Sequence, residues 1–268
     1  MWYIGAMKIF NVYCSLTDPK CARTALAHGA DGIGLVRTEK MIQPDNLFAP
    51  YYASYVGGTF GRDTESAARN IVREVDKFGK HKRIIFRMLD AKHRGIRGAR
   101  LLADNPKILE QQAIGLHAGH AESGREPELL VPFITNLQDF ETVAGAARKV
   151  GKCRVGAMIE NAWSMENIGE LAGMADFISV GLNDLTEDMT GHSEATEPSF
   201  YRTLSPAIGN AIETATERAR GARPDVEIGF CGEHTNFAEN YKLFKQVGAS
   251  SVTVRPAYVH VARSNGGI

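Results

Sequence analysis

Residues 154–184 read RVGAMIENAWSMENIGELAGMADFISVGLND. Two short, nearly continuous apolar runs, Arg154–Ile159 and Phe177–Gly181, flank an amphipathic stretch over Ser164–Ala172. Runs of that length without alternation suit parallel strands buried on both faces, and the stretch between them suits a crossover helix. Each run ends on polar groups: Glu160 after the first, Asn183 and Asp184 just past the second. The rest of the chain repeats this unit.

Before it stand the strand candidates Lys8–Cys14, Gly32–Arg37, Arg83–Leu89 and Glu128–Ile134; after it come Glu227–Cys231 and Ser251–Arg255. Helical stretches lie between them at Thr64–Phe78, Pro106–Ala118, Leu137–Val150, Ser205–Arg220 and Phe237–Val247. Asp18-Pro19 predicts the start of the first helix, with Asp18 as N-cap and proline at the first helical position. Eight βα repeats without a break in composition predict a single closed (β/α)8 TIM barrel over residues 1–268, with an open doubly wound sheet as the structural alternative. The length is close to the roughly 250 residues typical of one barrel. Two connections, Glu39–Asp63 and Glu187–Thr203, have the size of lids or subunit contacts.

Composition narrows the function classes. Lys+Arg and Asp+Glu balance at 31 each, which argues against a basic nucleic-acid surface or an acidic tail. No apolar run approaches the roughly 18–20 residues that span a bilayer, so no membrane role is expected. The opening Met1–Met7 lacks a basic region and a long apolar stretch, and is a poor signal peptide; Met7 is a candidate natural start. Cys14, Cys21, Cys153 and Cys231 are scattered, which reads as reduced thiols in a cytoplasmic protein.

Arg37, Arg87, Glu160, Asn183–Asp184 and Cys231–Glu233 all sit at or just past strand ends. That is the face where a barrel gathers its loops around one site. Glu160 and Asp184 offer the hard oxygens that suit Mg2+, which takes one or two carboxylates plus substrate and water. Each also reads, taken alone, as a helix cap or turn residue. Arg37, Arg87 and Arg97 have the forked donors that clamp phosphate and carboxylate, although Arg94, Arg97 and Arg100 together also read as a solvated helix start. Cys231 is either inert packing or a tuned proton donor or nucleophile. His234 is a possible proton carrier, but a loop hydrogen-bonder is the plainer reading.

Six segments occur in collinear order: GADGIGLVRTE at 29–39, RMLD at 87–90, GIRGARL at 95–101, GAMIE at 156–160, GLNDLT at 181–186 and CGEH at 231–234. On these the chain resembles the C-terminal phosphoenolpyruvate-binding domain of pyruvate phosphate dikinase. It is more distantly similar to Enzyme I of the sugar phosphotransferase system and to phosphoenolpyruvate synthase. The resemblance runs from about Asn11 to Arg263. It implies a TIM barrel that binds phosphoenolpyruvate or pyruvate with Mg2+ and passes a phosphoryl group to or from a histidine on a separate domain. By position, Arg37, Arg87 and Arg97 would contact phosphate or carboxylate and Asn183 the phosphate. Glu160 and Asp184 would hold Mg2+, and Cys231 would move the proton at the methyl carbon. Related barrels commonly dimerise, so a homodimer is expected.

Three departures bear on the reaction. The chain has no room for a nucleotide-binding or phosphohistidine domain, so a phosphotransferase reading needs a phosphohistidine carrier in trans. The segment after Asp90 is short, leaving Lys92 as the only lysine there. Glu194 stands where relatives often carry a phosphate-binding arginine, whereas Arg255 closes the last strand, where relatives have small residues. Arg255 is therefore expected to enter the site and restore the lost charge. Two other readings compete with phosphotransfer: a repurposed Mg2+-dependent lyase, aldolase or mutase acting through a pyruvate-type enolate, and a non-catalytic ligand-binding subunit.

Overall fold

The apolar runs pair edge to edge until the first meets the last. In the computed structural model, which describes residues 10–41, 62–79, 82–93, 95–193 and 197–266, the strands are β1 (Asn11–Leu16), β2 (Gly32–Arg37), β3 (Arg83–Arg87), β4 (Glu128–Val131), β5 (Arg154–Ile159), β6 (Phe177–Gly181), β7 (Ile228–Cys231) and β8 (Ser251–Val254). All neighbours are parallel, and β8 closes on β1 with Asn11 opposite Ser251 and Cys14 opposite Val254. This is the predicted (β/α)8 barrel. Helices α1 (Cys21–Ala27), α2 (Thr38–Met41), α3 (Arg62–Gly79), α4 (Gly98–Ala103), α5 (Pro106–Ser123) and α6 (Leu137–Val150) occupy its first half. Its second half carries α7 (Ala162–Glu166), α8 (Ile168–Met174), α9 (Leu182–Thr190), α10 (Pro206–Ala222), α11 (Tyr241–Gln246) and α12 (Val259–Gly266).

The helix boundaries follow local chemistry. In α5 a proline stands in the first turn, and Gly124 ends the helix in the left-handed conformation at φ 67°. The Asn136 and Ser205 side chains accept the backbone N–H groups of Asp139 and Ile208, capping α6 and α10. Three expectations need correction. Asp18 does not cap α1: its backbone carbonyl closes a turn onto Cys21 at 3.1 Å, its carboxylate accepts the Lys20 N–H, and the helix starts at Cys21. The single helix expected over Ser164–Ala172 is two, divided at Asn167. The stretch from Phe237 begins as a 3-10 turn at Ala238–Asn240 before α11. Most of the Glu39–Asp63 connection, and Glu194, lie outside the described residues. The expected loop at Glu187 is helical through Thr190, because α9 continues to Gly191. Among the described residues no helix is long and apolar enough to cross a membrane.

Side chains alternate across each strand. Outward residues such as Ile84, Phe86, Val155 and Ala157 join the large core under the helices. Inward residues Leu35, Ile85, Leu130, Met158, Phe177 and Cys231 form a second apolar layer inside the barrel. Below that layer, at the N-terminal end, Arg83 and Arg154 alternate with Glu128 and Glu227. Arg83 reaches Glu227 at 2.5 Å and Glu128 at 2.6 Å; Arg154 reaches Glu227 at 2.6 Å and Glu128 at 2.8 Å. The Arg83 and Arg154 guanidiniums also lie 5.4 Å from the Phe177 ring centroid.

Removing Arg83 leaves two carboxylates, partly shielded from water, with Arg154 as the one arginine of the ring between them. Arg83→Met is expected to lower stability by about 2 kcal/mol, between the values for surface and buried pairs. Thermal unfolding reads this, and an unchanged midpoint would show the ring to be energetically idle.

His120 is buried, its Nδ1 lies 2.7 Å from the Leu116 carbonyl, and its ring meets Phe86 edge-on at 4.9 Å. Burial pushes its pKa down to about 4. Protonation therefore favours the unfolded chain: the stability is fully present above the unfolded value near 6.5 and is lost as pH falls toward 4. The ring-proton NMR resonances of His120 should not shift between pH 8 and pH 5.5; a midpoint near 6.5 would refute its burial.

Candidate functional site

Alternation along β5 carries Met158 inward and then brings Glu160, one residue past the strand, to the C-terminal mouth. Glu160 is completely buried. Its Oε1 accepts the Phe133 N–H at 2.7 Å, while Oε2 has no hydrogen-bond partner among the described residues. The capping alternative is excluded, because Asn161 caps α7 by accepting the Ser164 N–H at 2.9 Å. A Cβ on Gly181 would come within 2.9 Å of Glu160 Oε2, so the glycine keeps space for this carboxylate. Burial, then the charges of Asp90 and Asp184, push the Glu160 pKa up to about 8, against the pull of Arg87 and Arg97.

Asp184 lies in the first turn of α9 and is gripped by Arg97, with Nη1 at 2.7 Å from Oδ1 and Nη2 at 3.1 Å from Oδ2. Arg97 also holds Asp90 at 2.8 and 2.9 Å, and its guanidinium stacks 4.4 Å from the Phe133 ring centroid. Arg97 is thus no solvated helix start. Arg87, 5% exposed, ends β3 and pairs with Glu39 at 2.5 Å and Asp90 at 3.0 Å. Burial alone would raise the Asp90 pKa, but Arg87, Arg97 and Arg37 outweigh it and hold this carboxyl below its usual range. Sequence reasoning missed Glu39 and Asp90. Their only signal was position, two and three residues after Arg37 and Arg87 in VRTE and RMLD.

Arg37 has no hydrogen-bond or ion-pair partner among the described residues, and its Nε is buried. It is close enough to act electrostatically on both Asp90 and Cys231. Cys231 is 2% exposed, inside the apolar layer, with the Ser179 hydroxyl 3.8 Å from its Sγ. Burial pushes the thiol up to about 11, while the Ser179 hydroxyl and Arg37 pull it down. Glu160 and Arg87 act on it as well. The two acids, the three arginines and the thiol therefore share one region.

The loop after Cys231 is held by contacts that local sequence does not announce. Asn183, expected to meet a phosphate, uses its Oδ1 to accept the Glu233 N–H at 2.6 Å. Gly232 permits that contact: at φ 114° it would place a Cβ 2.6 Å from the same oxygen. His234 is not a loop hydrogen-bonder. It is fully buried beside Tyr201, neither ring nitrogen has a partner among the described residues, and burial drives its pKa down to about 4. Lys92 is exposed on the two-residue ladder it forms with Arg97. Arg255 extends from β8 and pairs with Glu233 at 2.7 Å, its side chain 53% exposed. It lines a cavity of about 520 Å3 together with Arg37, Leu35, Gly232, Ser15 and Thr253.

Two carboxylates, one with a buried unpartnered oxygen, fit a hard divalent cation that completes its shell with substrate and water. No group of three His, Cys, Asp or Glu among the described residues could hold a metal alone. Substrate oxygens are therefore part of the fit.

The family model described as PEP-utilising enzyme, PEP-binding domain, matches residues 4–266. Pyruvate, phosphate dikinase 1 of Arabidopsis thaliana is 26% identical over 340 aligned positions, which cover 98% of this chain and 35% of the relative. Pyruvate, phosphate dikinase of Treponema pallidum is 24% identical, covering 96% of this chain and 39% of the relative. The chain thus spans well under half the length of these relatives. Among solved structures, the citrate lyase beta subunit of M. tuberculosis, complexed with oxaloacetate and magnesium, superposes with a TM-score of 0.55 at 16% identity, over 97% of each chain. At that identity the superposition establishes the shared barrel alone.

The four thiols are all free, and Cys21 is exposed whereas Cys231 is buried. Iodoacetamide at pH 8 should therefore modify Cys21 in native protein and leave Cys231 unmodified until denaturant is added. Peptide mass mapping gives the order, and early loss of the Cys231 thiol would contradict the raised pKa and the burial.

Proposed function

This chain belongs to the family of PEP-utilising enzymes, in its PEP-binding domain, and on that premise we propose that it binds phosphoenolpyruvate or pyruvate with Mg2+ and exchanges a phosphoryl group with a histidine carrier supplied in trans. The observation that carries this reading is the buried, unpartnered oxygen of Glu160 set near Asp184 and beside a neutral thiol.

Glu160 and Asp184 would hold the cation. When bound, Mg2+ would stabilise negative charge on the enolate and carboxylate oxygens of the substrate. Arg37, Arg87 and Arg97 orient phosphate and carboxylate and neutralise charge as it moves, which is the main demand of phosphoryl transfer. In the direction of pyruvate formation, the P–O bond of phosphoenolpyruvate breaks and a P–N bond forms to the carrier histidine. The electron pair left on the enolate oxygen reforms the carbonyl as C3 takes the proton from Cys231 Sγ, and solvent later reprotonates the thiolate. A thiol held neutral by burial is suited to giving that proton. The inner layer around it excludes water from the carbanion-like carbon.

A repurposed lyase, aldolase or mutase is the second reading. The cavity that Arg255 lines with Arg37 and Gly232, the residue after the thiol, favours it, being larger than a methyl group needs. Pyruvate in D2O should exchange its methyl protons in a Mg2+-dependent manner. Cys231→Ser should lower the exchange rate by roughly 10²-fold more than it lowers pyruvate affinity. Glu160→Gln should remove the Mg2+ dependence. Radiolabelled phosphoenolpyruvate with an isolated phosphohistidine domain from a dikinase then separates the readings. Label on that histidine supports phosphotransfer; exchange without any labelled histidine supports the second reading. Tight ligand binding with neither outcome would leave only a ligand-binding role.

A further inference from the structure

The cavity of about 520 Å3 at the C-terminal ends of β1, β2, β7 and β8 lies on the side of Cys231 away from β5 and α9, which carry the carboxylates. Its volume is within the range of small-molecule sites. We propose that it is a second anion subsite, in which Arg37 and Arg255 hold the distal anionic group of a 2-oxo acid longer than pyruvate. The proposal rests on the reading above, in which Glu160 and Asp184 take the 2-oxo end through the cation.

Placement supports the subsite. Leu35 lies in the inner layer beside Cys231, and Gly232 directly follows the thiol, so the cavity wall begins where the reacting carbon would stand. Along β8, Thr253 and Arg255 are two residues apart and turn to the same face, which brings the guanidinium to the barrel mouth. Arg37 stands at the junction, near the thiol on one side and lining the cavity on the other.

Charge supports it too. A methyl group calls for an apolar pocket, yet this cavity carries two guanidiniums against one carboxylate, that of Glu233, and the hydroxyls of Ser15, Thr17 and Thr253. Arg37 is unpartnered among the described residues. Arg255 is engaged by Glu233, with its own side chain 53% exposed and that of Glu233 16% exposed. An incoming carboxylate would share Arg255 with Glu233 and take up the charge of Arg37. The resulting fork between Arg37 and Arg255 gives charge-assisted hydrogen bonds from both sides.

Calorimetry at fixed free Mg2+ with pyruvate, 2-oxovalerate and 2-oxoglutarate tests this. 2-Oxovalerate has the same chain length as 2-oxoglutarate without the distal charge. 2-Oxoglutarate should bind about tenfold or more tightly than 2-oxovalerate, the factor expected of one charge-assisted hydrogen bond. Arg255→Ala should cut that ratio at least fivefold, and Arg255→Lys should restore part of it. Cys21 lines the same cavity, so 2-oxoglutarate should slow its alkylation more than pyruvate does. Equal affinities for the two longer acids, or protection of Cys21 that ignores the distal charge, overturns the subsite. If pyruvate itself fails to bind with Mg2+, the failure belongs to the proposed function; pyruvate binding without the discrimination is failure of the subsite alone.

Discussion

A parallel strand presents successive side chains to opposite faces, and this barrel is built on the consequences of that alternation. On β3 the inward positions are Arg83, Ile85 and Arg87, so one strand supplies a cation to each end of the barrel and an apolar residue to its middle. On β5 the inward series ends in Met158 and then Glu160. The line from Glu227 through Gly229 to Cys231 does the same on β7, ending in a thiol. The apolar layer between the ends separates two charged regions. At the N-terminal end, each charge is answered by a neighbour from another strand, which closes the barrel floor. At the C-terminal end the matching is incomplete: two carboxylate oxygens, on Glu39 and Glu160, and the Arg37 guanidinium have no protein partner among the described residues.

That incompleteness couples cation to anion. Glu39, Asp90, Glu160 and Asp184 face Arg37, Arg87 and Arg97, and Asp90 bridges two of the arginines. Fully ionised, the acids outnumber the bases; burial first, and the charges of Asp90 and Asp184 second, raise the pKa of Glu160, which relieves the excess. A divalent cation would relieve it in another way, drawing Asp184 toward itself and loosening its hold on Arg97. On the proposed function, an arginine released in this way would be available to a substrate anion. Binding of metal and of anion would then reinforce one another through the same side chains, with no change in the barrel itself.

The parts of this arrangement fixed by strands were legible in the sequence. Arg37, Arg87, Glu160 and Cys231 stand at the ends of apolar runs, where alternation and barrel polarity together determine their side and their end. The loops were less readable. Glu39 and Asp90 resemble ordinary surface acids until folding packs them against arginines, and nothing local announces the pairing. Beyond its expected role toward a ligand, Asn183 secures the backbone after Cys231 through its oxygen, a contact that depends on the left-handed Gly232 in a distant loop. His234 shows the opposite failure. A polar residue in a loop reads as a hydrogen-bonder, but the fold buries it against Tyr201 with its nitrogens unpartnered.

The thiol illustrates how the apolar layer sets chemistry. A carboxylic acid at position 231 would sit close to Glu160 and add one more negative group to a crowded site. A cysteine avoids this, because burial among Leu35, Met158 and Phe177 keeps it protonated. The same burial makes it a poor nucleophile, since the thiolate is the reactive form and its formation is disfavoured here. The group can still lose its proton when a carbanion-like carbon arrives, because Ser179 and Arg37 lower the energy of the thiolate once formed. Neutral at rest, with Ser179 and Arg37 favouring its ionised form against burial, Cys231 has the properties that the proposed proton transfer calls for.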